Sequence, residues 1–160
     1  MYSKIKIFII VSLLGSFLAC SKSKTVDEVY YINGDINGTF TLFTGFADTL
    51  VNIGYTSTFI SANHLPTNNS LFFHFISFTH DQLHVGTYTG TNTYNMECKF
   101  KDDHSGVEYK NIGLANFTII VEDINNKYAA GQFYGILKNA INVSDSVIIN
   151  NGHFKVPFLQ

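Results

Sequence analysis

NFTIIVEDINNKYAAGQFYGILK, residues 116–138, is the stretch whose reading decides the fold. Phe117, Ile119 and Val121 alternate with Thr118, Ile120 and Glu122, the period-two pattern of a strand with one face in a core. The polar run Asp123-Ile-Asn-Asn-Lys127 interrupts it. Alternation then resumes from Tyr128 to Lys138, with Gly131, Phe133, Gly135 and Leu137 on one side and Gln132, Tyr134 and Lys138 on the other. Two such runs around a short polar break predict an antiparallel strand–turn–strand unit. Asp123 and Asn126 are assigned to cap the turn, because short polar side chains bond their own backbone in tight turns.

The pattern continues on both sides. Ser146–Asn150 and His153–Phe158 read as two strands around Asn151-Gly152, a dipeptide suited to a type I′ hairpin turn, with Pro157 marking an edge or an end. A turn of that type needs positive φ at both central residues. Gly152→Val is therefore expected to be more damaging than any surface change. Upstream, Gly38–Phe43, Ile53–Ile60, Leu71–Phe78, Gly86–Thr89, Tyr94–Phe100 and Gly106–Lys110 are strand candidates. LFFHFISF, residues 71–78, is apolar on both faces, as a covered central strand would be. No window after residue 30 carries a capped 3.6-residue period. About eight to ten strands at short, even spacing imply an all-β fold. An antiparallel β-sandwich is favoured, with a closed lipocalin-like β-barrel as the alternative.

The first twenty residues have a different character. Lys4 and Lys6 precede an apolar run from Ile7 to Leu18, followed by Ala19 and Cys20. This is the layout of a secretory signal, too short to span a bilayer. Ala19-Cys20 resembles the lipobox of bacterial lipoproteins, in which cleavage before an acylated cysteine leaves a lipid anchor. Phe17 and Leu18 depart from that pattern, which favours Leu three residues before the cysteine and a small residue two before. The expected organisation is a lipoprotein signal peptide with its helix at 1–19, a lipidated tether at 20–29 and a single β domain at 30–160. Attached acyl chains would hold the protein firmly, at about 0.8 kcal/mol per buried CH₂. Cys98, in MECKF, is then left without an intramolecular partner and reads as a small buried apolar residue. Its alternative role, a nucleophile served by His74 or His104, stays open at this level.

From Cys20 onward the chain has 141 residues, with 8 Lys against 12 acidic residues and no Arg. That is enough for one sizeable core. A net charge of −4 without the side chain that forks onto phosphates argues against nucleic acid as a partner. The order of a Gly86-Thr87-Tyr88 element, a long polar–aromatic middle and a strand–turn–strand closing on NGxF resembles a family of small uncharacterised lipoproteins of Bacteroidota. The matching residues are Phe117, Ile119, Asp123, Asn126, Lys127, Gly131, Phe133, Gly135 and Leu137, then Ile149, Asn151, Gly152, Phe154 and Val156. The resemblance implies an envelope lipoprotein of the outer membrane and brings no catalytic site with it. Lipoproteins exported to the surface carry an acidic signal after the cysteine. Ser21, Lys22, Ser23 and Lys24 lack one, which favours the periplasmic face.

Chemistry-bearing residues are sparse. His80, Asp81 and His84 have the nearest claim to a metal, since two His four apart meet on a helix. On a strand the same spacing separates them by about 13 Å, so no metal is expected. Asp102, Asp103, His104 and Glu108 offer oxygen ligands without the alternation of a calcium loop and read as a charged hairpin tip. His74, inside the most apolar run, reads as a core histidine. No nucleophile elbow, zinc-protease helix, paired-cysteine motif or phosphate loop is present, so no cofactor and no catalytic residue is expected. The function expected is a lipid-anchored, non-enzymatic binding or structural protein of the cell envelope. Its membrane partner is met through the lipid on Cys20, and an envelope protein, a glycan or a small apolar ligand is the further partner. A glycan-binding module, a carrier of a small apolar ligand and an envelope hydrolase with a site built from distant residues are the alternatives.

Overall fold

The computed structural model describes residues 29–52, 55–77, 82–89, 94–111 and 117–159, so the residues assigned above to the signal peptide and its helix, to the Ala19-Cys20 cleavage site and to the tether as far as residue 28 lie outside it. Ten strands follow in order: β1 Tyr31–Ile36, β2 Thr39–Asn52, β3 Tyr55–His64, β4 Asn69–Ser77, β5 Gly86–Tyr88, β6 Tyr94–Asp102, β7 Val107–Lys110, β8 Phe117–Ile124, β9 Tyr128–Asn139 and β10 Ser146–Pro157. All pairings among them are antiparallel, and β10 bonds both β9 and β1, so the sheet closes. The fold is all-β, and its architecture is the alternative of the two, a closed barrel with eight strands in the wall, rather than the favoured sandwich. Apart from the closing pair of β10 and β1, neighbours in the wall follow chain order, with β5 and β8 standing outside the circuit. Strand length explains the closure. β2 has 14 residues and β9 and β10 have 12 each, so one strand can serve different partners along its length. One edge of β9 bonds β10, while its other edge is shared end to end by β8 and β7.

The two ends of the barrel differ. One carries the connections at 37–38, 65–68, 103–106 and 140–145. The other, here called the mouth, carries the start of β1, the β8–β9 turn, the segment before β5 and the chain after β10.

Asn151-Gly152 is not a turn. β10 runs unbroken through it, and only Asn151 has positive φ, at 49°. Residues Asn150 and Asn151 together oppose Tyr134, a β-bulge in which the left-handed residue is Asn151. A turn and a bulge both need a left-handed residue, so Asn-Gly signals either. Here the strand has a partner on both sides and is bent rather than reversed. The type I′ hairpin lies instead at Asn37-Gly38, where φ is 50° and 80° and Ile36 pairs with Thr39. β1 itself, YINGDI, shows no strand signal because Asn33-Gly34 reads as a turn. Gly34 passes close to β10, and a Cβ there would lie a tight 3.2 Å from Gly152 Cα.

The glycines of β9 and β10 explain the core. Gly152 pairs with Phe133 and Gly131 with Phe154, so each strand's ring covers the other strand's glycine. This is the exchange in which an aromatic ring packs over a cross-strand glycine. A Cβ on Gly152 would sit 2.5 Å from the Phe133 ring. Phe133 lies 4.8 Å from Phe73 and 6.4 Å from Phe154, centroid to centroid, and Phe117 joins the same cluster. Four rings therefore fill the waist of the barrel with tilted and offset pairs.

The predicted turn caps are also reassigned. The side chain of Asn125 closes the β8–β9 turn, accepting from Lys127 N at 2.9 Å and Tyr128 N at 3.2 Å. Asp123 instead accepts a hydrogen bond from the Tyr128 hydroxyl, and Asn126 is exposed at the turn's tip. The reason is register. A bulge between Val121 and Asp123 moves the loop one residue further on, placing Asn125 where its oxygen reaches the following amides.

Candidate functional site

A cavity of about 380 Å³ opens at the mouth, lined by Thr49, Gln82, Leu83, Ile124, Asn125, Asn126 and Phe158. Four separate segments build it. Thr49 stands on the inner face of β2, where its hydroxyl meets that of Thr58 on β3 at 3.0 Å. Ile124, Asn125 and Asn126 come from the end of β8 and its turn. Phe158 is fixed by its own amide, which donates to Lys127 O at 2.9 Å, and by Leu159 N donating to Ala47 O at 3.0 Å.

Gln82 and Leu83 form the remaining wall, and Tyr88 holds that wall in place. The Tyr88 hydroxyl donates to His84 O at 2.6 Å and accepts from His84 N at 3.1 Å, pinning both backbone groups of one residue. Its ring is buried edge-on against Phe75 at 5.2 Å, so the latch is anchored in the core. Chemically the cavity has an apolar floor of Leu83, Ile124 and Phe158 under carboxamides from Gln82, Asn125 and Asn126. No described lining residue is charged. Such a surface suits an uncharged molecule with one apolar and one hydrogen-bonding end.

The outer wall holds the other concentration of chemistry. Ser57 Oγ lies 2.6 Å from His74 Nε2, and Glu97 faces His74 across the β4–β6 ladder. Burial holds the His74 imidazole below its ordinary value, against the pull of Glu97 and with the push of Lys99. Glu97 is itself paired with Lys99 at 2.9 Å. Ser57 sits on a strand bonded to a neighbour on each side, β2 and β4. The amides around it belong to the ladders, so the described residues supply no pair of donors aimed at an oxyanion position. His74 is thus on the outer face of β4, partnered by a hydroxyl.

Cys98 points the other way. It is fully buried, unpaired and lies in the core opposite Phe73. Burial, reinforced by Glu97, pushes its thiol well above the usual range. A thiol so placed stays protonated, and His74 is on the opposite face of the wall. At the same place Asn111 takes over from a strand. Its side chain accepts from Cys98 N at 2.8 Å and donates to Met96 O at 2.9 Å, completing the edge of β6 where β7 no longer reaches.

Of the metal candidates, His80 and Asp81 lie outside the described residues, and His84 is exposed with Nδ1 3.4 Å from Gln82 O. Among the described residues no three potential metal-ligating side chains come together. The carboxylates near residue 102 form a hairpin tip. Asp102 accepts from His104 N at 3.1 Å and from Ser105 Oγ at 2.7 Å, while Glu108 pairs with Lys110 at 2.7 Å. The mouth cavity was invisible in the sequence, since its residues span 49 to 158 with no shared motif. Comparison of the chain with protein-family models, curated proteins and solved structures returns no match.

Proposed function

We propose that the chain is a lipid-anchored, non-enzymatic binding protein of the bacterial cell envelope, held through Cys20 at the periplasmic face of the outer membrane. Its site is the barrel mouth and its ligand is small and uncharged. The cavity carries this reading: apolar floor, carboxamide rim and no charge among its described lining residues. The filled waist adds to it, because the ring cluster around Phe133 keeps a ligand at the mouth. The leader ending in Ala19-Cys20 supports the anchor.

Titration with aminoanthracene, a neutral dye that brightens in apolar pockets, tests the site. Asn126→Trp, on the exposed rim, should weaken binding at least several-fold while the fold is kept. Equal binding by both proteins, or none by either, removes the mouth as the site. Cys20→Ser should release the protein from the membrane fraction, and retention in that fraction refutes the anchor. A second reading has the Ser57–His74 hydrogen bond in its favour. Labelling of Ser57 by a fluorophosphonate, lost in His74→Gln, would make the protein a serine hydrolase.

A further inference from the structure

We infer that the mouth of the barrel faces the membrane and that its ligand is a neutral single-chain amphiphile taken from the bilayer. The inference rests on the anchor and mouth-site readings above and adds an orientation and a ligand class. The first observation is where the chain enters the barrel. Val29 and Tyr30 lead into Tyr31, which pairs with Lys155 of β10, three residues before Phe158 in the cavity wall. The lipid-bearing segment therefore joins the barrel at the rim of its cavity, not at the end that carries the connections at 37–38, 65–68, 103–106 and 140–145.

Length makes this an orientation. From Cys20 to Tyr30 is ten residues, which extend to about 35 Å at most. A tilted strand of 12 residues such as β10 gives the wall a height of roughly 30 Å. Bringing the far end to the bilayer would require the whole tether to be drawn out along the wall. With the mouth toward the bilayer it need cover only the short gap to the headgroups.

The cavity then selects the ligand. Its volume has room for on the order of a dozen non-hydrogen atoms, taking about 30 Å³ for each, the share of a water in the liquid. Leu83, Ile124 and Phe158 receive an apolar end, and the amides of Gln82, Asn125 and Asn126 meet hydroxyl or ester oxygens. A carboxylate or phosphate head would lose its hydration with no cation on the described lining to replace it. Below the floor the four-ring cluster blocks the waist, so only a short chain fits.

Two measurements test the inference on the full chain. For orientation, the acylated protein is reconstituted into phosphatidylcholine vesicles carrying a nitroxide-labelled headgroup lipid. A dye is placed on Asn126→Cys at the mouth or on Asn68→Cys at the other end. Cys98 is buried and Cys20 acylated, so each label is unique. Quenching should be several-fold stronger at position 126, and equal or stronger quenching at position 68 overturns the orientation. For ligand class, the soluble Cys20→Ser protein is titrated with monooctanoylglycerol and with octanoate. The neutral lipid should bind at least about ten-fold more tightly, a difference of roughly 1.4 kcal/mol. Equal affinities, or no binding of the neutral lipid, overturn the ligand class. If aminoanthracene binds at the mouth but monooctanoylglycerol does not, the class alone is wrong. If the wild type does not float with vesicles, the anchor fails and the orientation with it, while the titration still decides the ligand.

Discussion

Replacing Gly152 by alanine should be among the most damaging single-methyl changes available in this barrel. Gly152 has no positive φ, so the penalty arises from space rather than from backbone conformation. The added Cβ would meet Phe133 O and lie 2.5 Å from Cδ2 and Cε2 of the same ring. Real Cβ contacts do not approach so closely, so Phe133 or the bulge must move. Overpacking of this kind costs about 1–3 kcal/mol. Moving Phe133 also loosens its pairs with Phe73 at 4.8 Å and Phe154 at 6.4 Å, each worth about 0.5–1.5 kcal/mol. Because the pairs are loosened rather than lost, only part of their energy is forfeited and the total is about 2–4 kcal/mol, a fall in Tm of the order of 10 °C for a domain of this size. Urea and thermal unfolding of the Cys20→Ser background measure it. Gly152→Asn separates the two accounts of the site. Asparagine is well tolerated in a type I′ turn but meets Phe133 as alanine does, so it should be equally damaging. Phe133→Leu should recover part of the loss in the Gly152→Ala protein. A change below about 0.5 kcal/mol for either substitution, the scale of an ordinary surface change, would refute the packing argument.

Gly38→Ala should cost about 1–2 kcal/mol for the opposite reason: φ is 80° there and nothing lies within 4 Å of an added Cβ, so only the left-handed backbone is penalised. Equilibrium unfolding checks it, and a neutral result would deny the type I′ turn at Asn37-Gly38. His74 has a folded pKa held below the unfolded value, so its stabilising contribution is complete above pH 6.5 and declines as pH falls through the folded value. His74→Gln should flatten that acid slope in stability measured against pH, and an unchanged slope would assign it to other groups. Tyr88→Phe keeps the ring against Phe75 but removes the bonds to His84. Exchange of the His84 amide should quicken by roughly ten-fold, the weight of about one hydrogen bond, and Tm should fall by only a few degrees; an unaltered amide would show that Tyr88 is no latch.

Residues 117–138 displayed their structure openly because everything in them is local. Phe117, Ile119 and Val121 alternate in sequence and are the fully buried residues of β8, and Phe133 and Leu137 do the same in β9. Side-chain alternation is a property of a single strand, so a sequence can carry it unaided. It also set the all-β class; the buried reading of Cys98 came instead from its lack of a partner once Cys20 is taken as the anchor, and the structure puts its thiol in the core. Closure into a barrel was of another kind. It depends on β10 meeting β1, in contacts such as Ile148 N to Asn37 Oδ1 between residues 111 positions apart, and no local period encodes that meeting. The Asn-Gly pairs make the same point most sharply. Asn33-Gly34, Asn37-Gly38 and Asn151-Gly152 are one dipeptide in the sequence, yet they become a close strand contact, a hairpin turn and a bulge. Asparagine and glycine permit a left-handed backbone but do not say what it is for, and the number of strands alongside decides between turning and bending. The mouth cavity belongs wholly to the tertiary structure. Thr49, Leu83, Ile124 and Phe158 become neighbours only when the wall closes and brings the ends of four separate segments to one rim.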